Sequence, residues 1–219
     1  MTENKNITAI EALQRLRAGN KRFTSDVRSL ESLLSHTRRT ELAEDGQRPC
    51  AVILGCSDSR VPAETVFDQG IGDLFVIRVA GNIVAPSQVG SIEFAAEHFG
   101  ARLVVVLGHS HCGAIDATID QLENPGKSTS IGIQSIVDRV RPSVETLLSA
   151  GLHGCELAHA AVRANVRSSV DKLRHGSALL EHLVEQDGML IVGAEYNLSS
   201  GVVDFFEGLP AGFKDTESI

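Results

Sequence analysis

The sequence has no apolar run approaching the roughly 20 residues that a membrane helix needs, which argues against a membrane-embedded protein. Its first six residues, Met1 to Asn6, are polar and lack the apolar core of a secretory signal, so the expected location is the cytoplasm. Positive charge is also in short supply. Lys and Arg number 20 against 28 Asp and Glu, a formal net charge of -8. With no basic stripe and no interleaved aromatics, no nucleic-acid partner is expected. Cysteine is sparse: Cys50, Cys56, Cys112 and Cys155 are too few for a disulfide scaffold in 219 residues. In a reducing compartment they are metal ligands, catalytic groups or small core residues. There is no Walker A motif, no GxGxxG, no internal repeat and no low-complexity tract.

What is present is a succession of short apolar runs alternating with helical patterns. Thr8 to Glu11 reads as a capping box, followed by Ile10, Leu13 and Leu16 at helical spacing, so a helix is expected to about Arg22. Residues 24–49 are polar and expected to mix helix and loop. Cys50 to Gly55, Leu74 to Ala80 and Leu103 to Leu107 are short β-rich runs without polar alternation, as a parallel sheet covered on both faces requires. Between the second and third, Ser87 to Phe99 reads as a helix ended by Gly100, which makes a βαβ unit. From Gly113 to about Gln186 the pattern is mostly helical, broken at Asn124-Pro125-Gly126 and at 151–154. Met189 to Val192 reads as a further strand and Val202 to Phe206 as an edge strand. The reading is a single α/β domain over 1–219, a mostly parallel central sheet flanked by helices. Within it, 1–48 forms an N-terminal helical arm and 49–219 the core.

The chemistry concentrates at two strand ends. In an extended chain alternate residues point the same way, so Cys56, Asp58 and Arg60 share a side if the strand continues past Gly55. They lie beyond the carboxyl end of their strand, where ligands bind in open α/β sheets. Gly108-His109-Ser110-His111-Cys112-Gly113 stands at the same end of the third run. If both strands are parallel members of one sheet, Cys56 and Asp58 lie near His109 and Cys112. Two cysteines and one histidine are a zinc set that leaves one position open in catalytic sites. Asp58 is the candidate for that fourth position. An Arg60 that holds it in a bidentate pair keeps it off the metal, and a broken pair lets it close the site.

His111 competes with His109, but the spacing of His109 and Cys112 lets both converge across a turn, whereas adjacent His111 and Cys112 diverge. Cys50 and Cys155 read as small core residues. Ser110 begins like a nucleophile elbow, yet Cys112 stands where the second glycine belongs. Cys56 to Arg60 is too short for a thiolate phosphate cradle.

CSDSR at 56–60, FVIRVAGN at 75–82 and VVVLGHSHCGA at 104–114 together resemble the β-class carbonic anhydrases. The likeness is dense from about Gln47 to Ala114, and Gly19-Asn20-Lys21-Arg22-Phe23 also fits. The resemblance implies zinc-dependent reversible hydration of carbon dioxide to bicarbonate and a proton. It implies one Zn2+ per chain held by Cys56, His109 and Cys112, with Asp58 and Arg60 as the catalytic dyad and Asp58 able to ligate the metal. Gln47, Phe75, Phe94 and Gly113 fall at substrate-binding positions. Such pocket groups come partly from a neighbouring subunit, so a homodimer or homotetramer is implied. A related zinc hydrolase acting on a substrate such as carbon disulfide, and a non-catalytic zinc-binding protein, remain as alternatives.

Some members of that class resemble a switch in which bicarbonate occupies a second pocket and favours the closed metal site. The matching positions here are Ile53, Arg78 and Tyr196. The sequence has no tryptophan, and Ile53 cannot supply the indole N–H that the pocket uses. A missing neutral hydrogen bond costs roughly 0.5–1.5 kcal/mol, so a weak bicarbonate brake is expected.

Overall fold

In the computed structural model the described residues are 7–27, 36–124, 126 and 129–213. The first helix, α1 (Ala9–Thr24), opens on the expected capping box. The Thr8 hydroxyl accepts from the Glu11 N–H, and the Glu11 carboxylate accepts from the Thr8 N–H. Its apolar face, Ala9, Ala12, Leu13 and Leu16, packs on the central sheet rather than standing away from it. At Gly19 the helix presses backbone to backbone: a Cβ there would sit 1.8 Å from the Phe67 carbonyl oxygen. Asn20 then ties three segments together. Its Nδ2 donates to the carbonyls of Val66 and Gly201, and its Oδ1 accepts from the Val203 N–H. Arg22 closes the group with an ion pair to Asp68. The next helix, α2 (His36–Asp45), buries none of its residues. It falls in the segment expected to mix helix and loop, of which residues 28–35 lie outside the described residues.

The sheet is formed by β1 (Ala51–Gly55), β2 (Leu74–Arg78), β3 (Leu103–His109), β4 (Leu190–Tyr196) and β5 (Val203–Glu207), in the order β2-β1-β3-β4-β5. The first four are parallel, and β5 runs antiparallel to β4 as an edge. Strands β1 and β3 are buried on both faces along their whole length, which is why their sequences lack polar alternation. One face carries α1 and α3 (Ala63–Val66). The other carries α4 (Pro86–His98), α7 (Gly154–His175) and α8 (Ala178–Gln186). At the carboxyl edge, α5 (Gly113–Glu123) and α6 (Ile131–Ser149) join α7 around a third apolar cluster that includes Cys56 and Cys112. No helix among the described residues is long and apolar enough to cross a membrane.

Three departures from the sequence reading have local causes. Helix α3 is too short to show a period. The helical stretch before Gln186 breaks once more at Gly176-Ser177, because Ser177 caps α8 by accepting from the Leu180 N–H. Strand β4 continues past Val192 to Tyr196 because the acidic Glu195 within it is buried against Arg163.

The strand order reverses direction at β1. The chain leaves β1 for β2 on one side and later enters β3 on the other, so the carboxyl ends of β1 and β3 flank a topological switch point, the usual ligand crevice of an open α/β sheet.

Replacing Asn20 with Ala orphans two carbonyls and an N–H. The expected loss is at least about 2 kcal/mol, on the scale of 1–3 kcal/mol per buried unpaired group. An unchanged urea midpoint and slope would show that water takes over these bonds.

Candidate metal centre

Strand register brings the two motifs together. Gly55 of β1 pairs with Leu107 of β3, so Cys56 emerges level with Gly108, beside His109. Cys112 caps the start of α5 three residues later, after His111 has turned the chain through a left-handed conformation (φ 55°). The sulfurs of Cys56 and Cys112 and a ring nitrogen of His109 all lie within 4.8 Å of one another, and all three residues are buried. His111 is exposed and outside the group. His109 Nδ1 lies 2.9 Å from the Ser110 carbonyl oxygen, which can only accept, so Nδ1 carries a proton and Nε2 faces the sulfurs. That Nε2 is fully buried and has no hydrogen-bond partner among the described residues. A buried, unpartnered nitrogen between two soft sulfurs is the donor set that zinc takes.

Past Gly55 the chain does not stay extended as the alternation argument required. It turns, with the Val61 N–H donating to the Asp58 carbonyl at 3.0 Å. The Asp58 carboxylate stabilises the turn by accepting from the Arg60 N–H at 2.9 Å. The turn swings the guanidinium round to grip the same carboxylate: Nε donates to Oδ1 at 2.9 Å and Nη2 to Oδ2 at 2.6 Å. Arg60 Nη2 also donates to the His111 carbonyl, joining the two motif loops. Asp58 therefore stands outside the metal-ligating group, its Oδ2 4.0 Å from His109 Nε2. The Arg60 bonds hold its carboxyl well below the usual carboxylate range.

The adjacent Cys112 side chain pulls the Cys56 thiol well below its usual range, with help against burial from His109 and the N–H groups of Gly81 and Asp58. Nearness to Cys56 and burial push the Cys112 thiol up. Burial disfavours a charge on His109, but the nearby Cys56 sulfur and the Asp58 carboxylate outweigh this and raise its pKa. A divalent metal must displace these protons, so loading strengthens as pH rises.

A family model described as carbonic anhydrase matches residues 51–203. The carbonic anhydrase of Mycolicibacterium smegmatis is 38% identical over 199 residues, covering 91% of this chain and 94% of that protein. Carbonic anhydrase 2 of Mycobacterium tuberculosis is 37% identical, covering 90% and 92%. The chain belongs to the β-carbonic anhydrase family. Among solved structures, a β-carbonic anhydrase of the fungal pathogen Aspergillus fumigatus superposes with a TM-score of 0.70 at 25% identity, over 92% of each chain. β-Carbonic anhydrases are zinc enzymes, and the cofactor fits the Cys56–His109–Cys112 group.

Other expected residues of this β-carbonic anhydrase lie elsewhere in the chain. Gln47 precedes β1, at the opposite edge of the sheet from Cys56, about 16 Å away for five strand residues. Phe75 pairs with Val52 in the first half of β1, and its ring lies 6.4 Å from that of Phe94 on α4. Phe94 stacks on His98 and is 45% exposed. Gly113 is exposed in open space at the first position of α5, next to Cys112. Ile53 and Tyr196 are buried on the sheet face that α1 covers. Arg78 braces the first motif instead of standing free, donating to the carbonyls of Cys56 (3.1 Å) and Asp58 (2.6 Å). Cys155 is not a core residue: it is exposed on the first turn of α7, off the stripe that buries Leu157 and Ala161. Cys50 is half-buried against the core.

Sequence reasoning missed one support of the centre. The Gly81 N–H donates to Cys56 Sγ at 3.4 Å, and the Gly81 carbonyl accepts from buried Asn165 Nδ2 at 2.8 Å. Gly81 is left-handed (φ 71°), and a Cβ there would meet that of Ala114 at 3.0 Å. Asn165 lies 84 residues away on α7, so no local pattern links the two. Replacing Asn165 with Ala is expected to weaken zinc binding about 10–100-fold in chelator competition. Unchanged affinity would remove this brace from the centre.

Proposed function

We propose that Cys56, His109 and Cys112 hold one zinc per chain and that the protein uses it for the reaction CO2 + H2O ⇌ HCO3− + H+. The observation that carries this reading is the buried, unpartnered His109 Nε2 facing two sulfurs beside an Asp58 that is locked onto Arg60. Bound zinc supplies a Lewis acid that makes water acidic enough to yield a nucleophile near neutral pH. Asp58, kept ionised by Arg60, accepts a hydrogen bond from the attacking water and turns its lone pair toward the carbon. Because Arg60 engages both carboxylate oxygens, it also keeps Asp58 from becoming a fourth ligand. The carbon disulfide hydrolase and non-catalytic readings find no support in the family or its named relatives.

Carbon dioxide has no dipole and suits an apolar pocket, yet Phe75, Phe94 and Gln47 lie too far from the chain's own centre to form one. An exposed aromatic cluster and an exposed amide are what a second copy would use. We read the active unit as a homodimer, or a tetramer built from such dimers, in which these groups complete the partner's site. Four free cysteines, two of them metal ligands, suit a reducing cytoplasm. Bicarbonate regulation through Arg78 and Tyr196 is expected to be weak, since Ile53 offers no donor.

The direct test is hydration rate against zinc content. Arg60→Ala is expected to retain zinc and to lose at least about 100-fold in kcat/KM, the scale of a misplaced proton acceptor. A wild-type rate would remove Arg60 from the mechanism.

Complementation tests the shared pocket. Gln47→Ala and Cys112→Ser proteins, each impaired alone, should regain activity when mixed and allowed to exchange subunits. A hybrid then has one centre with intact zinc ligands and the partner's intact amide. Absence of recovery in verified hybrids would place Gln47 outside the partner's site.

A further inference from the structure

At the amino edge of the sheet, opposite the metal centre, three arginines line a cavity of about 130 Å³. Arg15 reaches it from α1, Arg48 from the segment before β1, and Arg102 from the residue before β3, with Cys50 in the wall. We propose that this cavity binds a small oxyanion of the phosphate or sulfate class.

The three guanidiniums are not equally committed. Arg102 is the most engaged, with all three nitrogens donating: Nε and Nη2 to Asp187 Oδ2, and Nη1 to the carbonyls of Ala96 and Ala101. Among the described residues Arg15 donates only through Nη2, to Asp73 Oδ2 at 2.7 Å. Asp73 is itself shared, since Arg38 Nη2 lies 3.5 Å from its other oxygen. Arg48 has no hydrogen-bond or ion-pair partner among the described residues. The cavity thus has unmatched positive charge and spare N–H donors in a chain of net charge -8. Planar guanidinium forks suit oxyanions, two oxygens at a time.

Size and chemistry narrow the occupant. The volume is well below the roughly 300–1,000 Å³ of pockets for drug-sized ligands, which suits a free ion and excludes a nucleotide. Cys50 does not repel an anion. Burial pushes its thiol up more strongly than the Arg15 charge pulls it down, so it stays neutral and able to donate. A bound oxyanion would cross-link α1 to the entrances of β1 and β3, and fix the segment that carries Gln47.

The test is thermal unfolding of the zinc-loaded protein in inorganic phosphate against sodium chloride at equal ionic strength. Wild type is expected to be stabilised saturably by phosphate alone. Arg48→Gln, an exposed position whose loss breaks no internal bond, should need at least about tenfold more phosphate for half the effect. Arg15→Gln should behave likewise. Equal shifts in phosphate and chloride would overturn the proposal. So would an unchanged half-saturation in Arg48→Gln, which would locate the phosphate elsewhere, including at the metal.

Discussion

Parallel pairing of β1 with β3, with Gly55 opposite Leu107, fixes the distance between two motifs that the sequence separates by about fifty residues. Strand spacing of about 4.8 Å sets the scale of the gap between Cys56 and His109, which is the scale of a tetrahedral metal site. A slip of one residue would turn every side chain of β1 to the other face and bury Cys56 away from its partners. Val52, Ile53 and Leu54, fully buried between helices on both sides, make such a slip prohibitive. The packing of the core and the geometry of the centre are therefore one constraint.

Around that pairing, polar groups compensate for placing sulfur and carboxylate in a buried crevice. Arg78 braces the loop from the β2 side and Arg60 from within it, and the N–H groups of Gly81 and Asp58 are directed at the Cys56 sulfur. None of these groups is a ligand. Each limits the freedom of one that is, and outer contacts of this kind govern metal affinity as strongly as their small individual energies suggest they should not.

The parts of this arrangement that local pattern encodes were legible. Strands buried on both faces announce themselves as apolar runs, the Thr8–Glu11 cap as a four-residue motif, and the ligand set as cysteine and histidine types at paired strand ends. The turn at Asp58 was not, because alternation assumes an extended chain and nothing in Cys56 to Arg60 marks where extension stops. Cys155 misled for the opposite reason: cysteine is common in cores, and only the phase of α7 shows it on the outside. Glu195 hid the end of β4, since a buried acid looks like a loop until Arg163 is found beside it. Asn165 and Gly81 meet through tertiary structure alone.

Gln47, Phe75 and Phe94 lie away from the chain's own metal centre. A parallel sheet has two unlike edges, and only the carboxyl edge of β1 carries the ligands. Whatever precedes β1 or fills the first half of β2 lies most of a strand's length from them. The site's apolar wall therefore cannot come from these residues within one chain. Phe94, stacked on His98 and backed by Phe99, has its ring position set by its own chain while leaving nearly half its surface to solvent. Apolar surface left in water forgoes about 25 cal/mol per Å². In the dimer proposed above, a second copy covering this patch would recover that energy, and by the same contact it would gain a preorganised wall for a substrate that has no dipole to be recognised by.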